Sequence, residues 1–270
     1  MEKNTQLVEA AVEEGVATLL LNDPAKLNAL SIPMAKALTA ALEQAGRDPA
    51  VRVVVLRGAQ GRFCAGGDVT SMKKRVEAFR AGREPETDTR DNMWTLNQVV
   101  LAVRNLSKPV IAWIEGAAAG GGMSLALACD FALAEEEAKM VFAFSGVALA
   151  PDMGASVMAP ARLGPARAAD LFMTGRRFTG REAAQWGLIT SAWSREELPG
   201  QVDKLARKLA VGPALTYAEI KAGINRTVYP GLYAGMAQEV EAANRLTRTR
   251  DHGEAVDAFL EKRKPVFTGR

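Results

Sequence analysis

The sequence predicts an α/β fold in two parts, a mixed core over residues 1–195 and an all-helical region over residues 196–270. Three observations carry this reading. Short β-prone runs such as Val51–Arg57 and Pro109–Ile114 alternate with helical patterns as far as Ser194, a mixed α/β pattern. A glycine-rich loop follows a strand at Gly66-Gly67, and another joins strand to helix at Gly120-Gly121-Gly122. Beyond Ser194 the apolar residues fall at helical spacing, as in Val202, Leu205 and Leu209, then Val256, Phe259 and Leu260.

In chain order, Leu7–Val12 and Val16–Leu21 read as strands around the turn Glu13-Glu14-Gly15. Ser31 caps a helix carrying Ala35, Leu38, Leu42 and Ala45, which Gly46 stops. Val51–Arg57 is a buried strand and Gly58–Asp68 a loop. Val69–Asp91 is charged and aperiodic, so it is expected to be irregular and mobile. Met93–Asn105 is helical, with Leu96, Val99, Val100 and Val103 on one face. After the strand Pro109–Ile114, a helix spans Met123–Cys129, strands follow at Phe131–Ala134 and Met140–Phe144, and helices resume near Ala155.

A chain of 270 residues buries roughly 75% of the surface it exposes when unfolded. The net charge of +3 suits an anionic ligand and is too weak to argue for nucleic acid. The uncharged run Gly116–Cys129 is shorter than the roughly 18 residues of a membrane span. Met1–Ala10 carries Glu2 and Glu9 and has no apolar stretch of the signal-peptide kind. These features point to a cytoplasmic protein with no membrane partner. The chain has a single histidine, His252, and two cysteines, Cys64 and Cys129. Two-histidine zinc sites and cysteine clusters are thereby excluded, and no metal site is expected. Carboxylates and backbone groups must carry most of any chemistry.

Two loops are suited to backbone chemistry. Phe63-Cys64-Ala65-Gly66-Gly67-Asp68 follows a strand, and Ala119-Gly120-Gly121-Gly122-Met123-Ser124 stands between a strand and a helix. Glycines let N–H groups approach a ligand, and a helix N-terminus adds a positive partial charge. Two such amides meeting at one point make an oxyanion hole. Each loop alone is more often a simple connection, and neither matches the dinucleotide fingerprint or the P-loop.

Their combination is specific. Asn22–Leu30, Arg62–Val69, Lys108-Pro109-Val110-Ile111-Ala112 and Gly116–Asp130, in that order, resemble the enoyl-CoA hydratase/isomerase (crotonase) family. Leu171–Gly175 and Ala183–Ile189 look like its later motifs. The resemblance implies a crotonase-like spiral of ββα units and a C-terminal helical region that trimerises, giving a homotrimer or a dimer of trimers. It also implies an acyl-CoA substrate, with coenzyme A entering as part of that substrate and no cofactor bound permanently. The oxyanion amides match Gly67 and Gly121. CoA contacts match Lys26, Leu27, Ala29, Ala65, Asp68 and Val69, with Phe259 and Lys262 from the C-terminal helices.

Hydratases of this family use two glutamates to place and activate water. Ser124 and Phe144 stand at the matching positions, and neither can act as a carboxylate base. Asp152 remains, and an aspartate at this place resembles the 1,2-epoxyphenylacetyl-CoA isomerase branch and the dienoyl-CoA isomerases, with Phe142-Ala143-Phe144-Ser145 and the ending Ala258–Gly269 most similar to the former. Flanked by Leu149, Pro151 and Met153, an aspartate in a dry pocket gains the raised pKa that suits proton shuttling. The bland alternative is a turn aspartate capping the helix near Ala155.

Isomerisation through a thioester enolate is therefore favoured. Water addition, dehalogenation of an aryl-CoA and non-catalytic binding of CoA or RNA are the alternatives. Cys64 reads as a buried hydrophobe, Glu115 as structural, and His252 as solvated in a polar linker. Arg245, Arg248 and Arg250 read as a solvated helix face, while Glu77, Glu84 and Glu86 lie in the stretch expected to be mobile.

Overall fold

The computed structural model describes residues 6–270, so the first five residues of the segment read as lacking a signal peptide lie outside it. A six-stranded sheet forms the base, in the order β1 (Val8–Glu13), β2 (Val16–Leu21), β3 (Val53–Gly58), β4 (Val110–Ile114), β6 (Phe131–Glu135) and β9 (Ser191–Trp193). Only β1 runs antiparallel to its neighbour; the other pairs are parallel. A second sheet of three short strands holds β5 (Ala117–Ala119), β7 (Lys139–Val141) and β8 (Phe178–Thr179).

Strand periodicity explains why the large sheet is covered twice. In β3, Val54 and Leu56 face a core shared with α1 (Ile32–Arg47), α3 (Thr89–Asn105) and α4 (Gly121–Ala128). Val53 and Val55 face the opposite side, where α8 (Leu198–Ala210) lays down Leu198, Val202, Ala206 and Leu209. A strand apolar on both faces is the expected signature of a parallel sheet buried by helices. The expected helical run after Ser194 is present as α8, α9 (Ala214–Val228), α10 (Leu232–Leu246) and α11 (Arg250–Leu260). No helix among the described residues is long and apolar enough to cross a membrane.

Several local expectations are corrected. Val69–Asp91 is not irregular: α2 (Val69–Arg80) occupies its first half and α3 begins at Thr89. Only Val76 of α2 is buried, so the helix shows no apolar stripe in the sequence. It is held instead by ion pairs from Lys73 and Arg80 to Asp257 on α11, at 2.6 and 2.7 Å. Gly46 does not stop α1, which continues to Arg47. The strand expected over Met140–Phe144 ends at Val141, and Phe144 leads into a 3-10 turn at Ser145–Val147. His252 is not solvated. Thr249 caps α11 by accepting from the His252 N–H, and this turn carries the imidazole into the interior, where it is fully buried. Its Nδ1 lies 2.8 Å from the Val147 carbonyl oxygen.

Candidate active site

The two glycine loops meet. The Cys64 N–H donates to Ala117 O at 3.2 Å, and the Ala119 N–H returns to Cys64 O at 3.0 Å. Gly66 shows why this contact needs glycine. Its φ is +90°, and a β-carbon there would stand 2.6 Å from Ala119 O and 3.4 Å from Gly121 N. Any side chain would therefore separate the loops. The segment after Asn22 joins them, since the Leu30 N–H donates to Gly66 O at 2.7 Å and the Ala65 N–H to Leu27 O at 3.1 Å. Asn28, fully buried, fixes this knot through its side-chain amide on the carbonyls of Ala59 and Arg62.

Beneath the junction lies a cavity of about 310 Å³. Gly67 and Gly121 both line it, and neither N–H donates a hydrogen bond among the described residues. Gly121 is the first residue of α4, so the helix dipole reinforces its N–H. Two unengaged amides facing one apolar cavity can receive a carbonyl oxygen that becomes an anion.

Asp152 and Arg177 are the ionisable side chains that line this cavity among the described residues. A β-carbon built on Gly121 would lie 3.9 Å from Asp152 Oδ1, so the carboxyl stands beside the second amide. Oδ1 is enclosed and has no hydrogen-bond partner among the described residues. Burial, and then the nearby charge of Glu239, push Asp152 up to about 7. The helix-capping alternative for Asp152 does not hold, because α5 (Ala155–Leu163) has no side-chain cap. Asp152 contributes only its backbone oxygen to local structure, accepting from Ala155 N and from Ser124 Oγ, both at 3.0 Å. Ser124, fully buried, thus ties α4 to the loop carrying Asp152. Phe144 lines the cavity, with its ring 3.9 Å from a β-carbon built on Gly120, and packs against Phe142 and Phe172.

The remaining sequence candidates separate clearly. Ala65, Val69 and Phe259 line the same cavity. Leu27 and Lys26 are exposed beside it, and Ala29 is buried beneath. Asp68 caps α2, accepting from Thr70 N and Ser71 Oγ at 3.0 Å, and pairs with Lys26 at 2.9 Å. Lys262 follows α11 on the surface and does not line the cavity. Glu115 pairs with Arg57 at 3.1 Å, outside the cavity. Glu84 pairs with Arg248, so this arginine is engaged rather than free on a solvated face. Burial pushes the Cys64 thiol up to about 12, far from a thiolate nucleophile. A larger hollow of about 470 Å³ lies beside α9. Its cations are already satisfied, the buried Arg104 and Lys221 on Asp130 and the half-buried Arg162 on the carbonyls of Leu127 and Leu188.

Sequence reasoning missed Glu239 of α10, which is 5% exposed. The missed signal was its register: it falls in the apolar stripe of Met236, Val240 and Ala243, all buried. A carboxylate inside such a stripe must have buried donors.

Residues 11–270 match the sequence model of the enoyl-CoA hydratase/isomerase family. The 1,2-epoxyphenylacetyl-CoA isomerase of Escherichia coli (strain K12) is 36% identical over 98% of this chain and 99% of its own. The 2,3-dehydroadipyl-CoA hydratase of the same organism is 31% identical over 96% and 97%. The crystal structure of an enoyl-CoA hydratase from Mycobacterium avium subsp. paratuberculosis K-10 superposes with a TM-score of 0.87, at 32% identity over 97% of this chain and 98% of that one. With the family model matching nearly the whole chain and a relative 36% identical along almost its full length, the chain belongs to the enoyl-CoA hydratase/isomerase family.

Proposed function

We propose that this protein is an acyl-CoA isomerase that shifts a double bond or opens an epoxide through a thioester enolate. The carrying observation is the lone carboxyl of Asp152, enclosed and unpartnered beside Gly121. The thioester oxygen accepts the N–H groups of Gly67 and Gly121. The Asp152 carboxylate removes a proton from C2 of a 3-enoyl-CoA, and the electron pair moves onto the oxygen. The protonated carboxyl then returns that proton at C4, which gives the 2-enoyl-CoA. One acid/base group with a pKa near the working pH suffices, and about 7 meets that demand.

Water addition to a 2-enoyl-CoA is the second reading, supported by hydratases among the relatives. It is disfavoured because Ser124 and Phe144 stand at the positions that the resemblance matches to the two hydratase glutamates; Ser124 is spent on the Asp152 backbone, and Phe144 brings no carboxylate to the cavity it lines. Lys26, Leu27, Ala29, Ala65, Asp68 and Val69 are assigned to the CoA side of the cavity, joined by Phe259 and Lys262. Residues 196–270 are proposed to build a homotrimer or a dimer of trimers. Support comes from the exposed apolar residues Leu215, Ile220, Ile224 and Val228 along α9.

The deciding experiment incubates the protein with 2-enoyl-, 3-enoyl- and epoxide-bearing acyl-CoAs and identifies products by mass and NMR. Isomers without a gain of water are expected. Strong hydration of crotonyl-CoA that survives Asp152→Asn would refute the isomerase reading. Gly67→Pro removes one oxyanion donor and is expected to cost about 10² to 10³ in turnover.

A further inference from the structure

We propose that Glu239 is a positioning residue for the reaction: from α10 it clamps the first turn of α5 and so fixes where Asp152 presents its carboxyl group to the cavity. This rests on the isomerase reading above. The geometry begins with the backbone. Met153 and Gly154, directly after Asp152, both have left-handed φ angles, 53° and 77°. A β-carbon on Gly154 would meet Leu232 Cδ1 at 2.7 Å, so α10 packs tightly against this turn. The turned backbone aims its amides at one point. Glu239 Oε2 accepts from Gly154 N at 2.7 Å, and Oε1 accepts from Ser156 N at 3.0 Å and Ser156 Oγ at 2.5 Å.

These donors would otherwise be met by a residue at the start of α5 itself. Asp152 is well placed for that duty and does not perform it. Glu239 takes the amides, which leaves the Asp152 carboxyl unengaged. Backbone amides can only donate, so a glutamate with both oxygens accepting is the matching partner.

Electrostatics points the same way. Glu239 is among the influences that raise Asp152, second to burial, and Glu239 is itself raised by burial. No cation offsets the pair among the described residues. On α10, Glu241 turns outward to Arg90 of α3, and Arg245 forms no ion pair. On α5, Arg162 is bound to carbonyls, and Arg104 of α3 is paired with Asp130. α4 carries no charged side chain, His252 of α11 contacts Val147, and Arg177 lines the cavity without an ion pair among the described residues.

The test uses Glu239→Gln and reads two quantities. The first is the titration of Asp152 in the free protein, followed by NMR of ¹³C-labelled aspartate and assigned by its loss in Asp152→Asn. The second is steady-state kinetics with 3-hexenoyl-CoA. Removing the neighbouring negative charge should move the Asp152 midpoint to lower pH. The displaced turn should lower kcat about tenfold while KM stays within about threefold. A variant that loses thermal stability but keeps both the midpoint and kcat would show a merely structural glutamate and overturn the proposal. If Glu239→Gln does not fold, Ser156→Ala removes one donor and leaves the charge. Its kcat should fall about threefold, and an unchanged kcat overturns the proposal. Failure of the isomerase reading looks different: the wild type would then leave 3-hexenoyl-CoA unconverted, or Asp152→Asn would keep its turnover, and an Asp152 midpoint unmoved by Glu239→Gln would still overturn the present proposal.

Discussion

Two of the helices that begin at the cavity, α2 and α5, are preceded by aspartates with opposite fates. Asp68 at the start of α2 accepts from Thr70 N, Ser71 Oγ and Lys26 Nζ. Burial pushes its carboxyl up, but Lys26, Ser71 and Thr70 together hold it below the usual carboxylate value. Asp152 before α5 has none of these partners, and burial with Glu239 pushes it up to about 7. One aspartate is spent on structure and the other is left unpaired. The difference lies in who satisfies the helix amides: α2 is capped from within its own loop, whereas α5 is capped from α10.

The sharpest way to break this comparison is a pair of substitutions read on turnover. Asp152→Asn should lower isomerase kcat by about 10² or more while acyl-CoA affinity stays within a few-fold. Asp68→Asn should leave kcat within a few-fold. Equal losses in the two variants would mean that the two carboxyls do not divide the work as described.

The next effect concerns stability. An aspartate raised from 3.8 to about 7 disfavours the folded state as its charge is forced on. The penalty grows as pH rises through that window and is complete above it. Asp152→Asn removes the charge, so Tm at pH 8 should rise by about 5 °C. The gain should shrink as the pH approaches 4. A variant that melts lower than wild type at pH 8 would show a hidden structural role for this carboxyl.

Legibility in the sequence follows the same division. The meeting of the two glycine loops could be read because close backbone approach leaves a mark on residue type. Gly66 must be glycine to let Ala119 and Gly121 approach, and such glycines stand out in a short motif. The sheet could be read because both faces of β3 are apolar. Asp152 is ambiguous in isolation, since a cap and an acid look alike until the amides are assigned. Glu239 and the Lys73 and Arg80 contacts to Asp257 join residues far apart in the chain. No local pattern names the partner in such pairs, which is why α2 read as irregular, and the one mark Glu239 leaves, its place in the apolar stripe of α10, does not say what it holds. His252 failed for a related reason: polar neighbours suggested solvent, while α11 turned the ring toward Val147.

A smaller effect separates the cap from the chemistry. Asp68→Ala loses the N-cap of α2 and should destabilise the protein by about 1 kcal/mol. Chemical denaturation at pH 7 measures this through the midpoint. Asp152→Ala leaves no amide unsatisfied, so it should not show a comparable loss. A cost for Asp152→Ala that matched the Asp68→Ala cost would place both residues in the structural class.

The smallest expected effect is the ion pair itself. Lys26 Nζ and Asp68 Oδ2 are 2.9 Å apart, with the lysine side chain 46% exposed and the aspartate 7%. Water around the lysine screens the attraction, so a double-mutant cycle of Lys26→Met and Asp68→Asn should give a coupling of about 0.2 to 1 kcal/mol. The signs are set by both partners. Hydrogen bonding to Asp68 raises Lys26, and Asp68 is held below 3.8. The aspartate contribution is therefore present above 3.8 and fades as pH falls through its lower folded value, and the lysine contribution fades only above 10.5. The coupling should be flat from pH 5 to 9 and shrink in 1 M salt, where charges are screened over about 3 Å. Lys26→Met should also raise KM for a CoA thioester and spare kcat, because the lysine is assigned to the CoA side and Asp152 to the proton. A lysine variant that lowered kcat with KM unchanged would erase the boundary between the two helix starts.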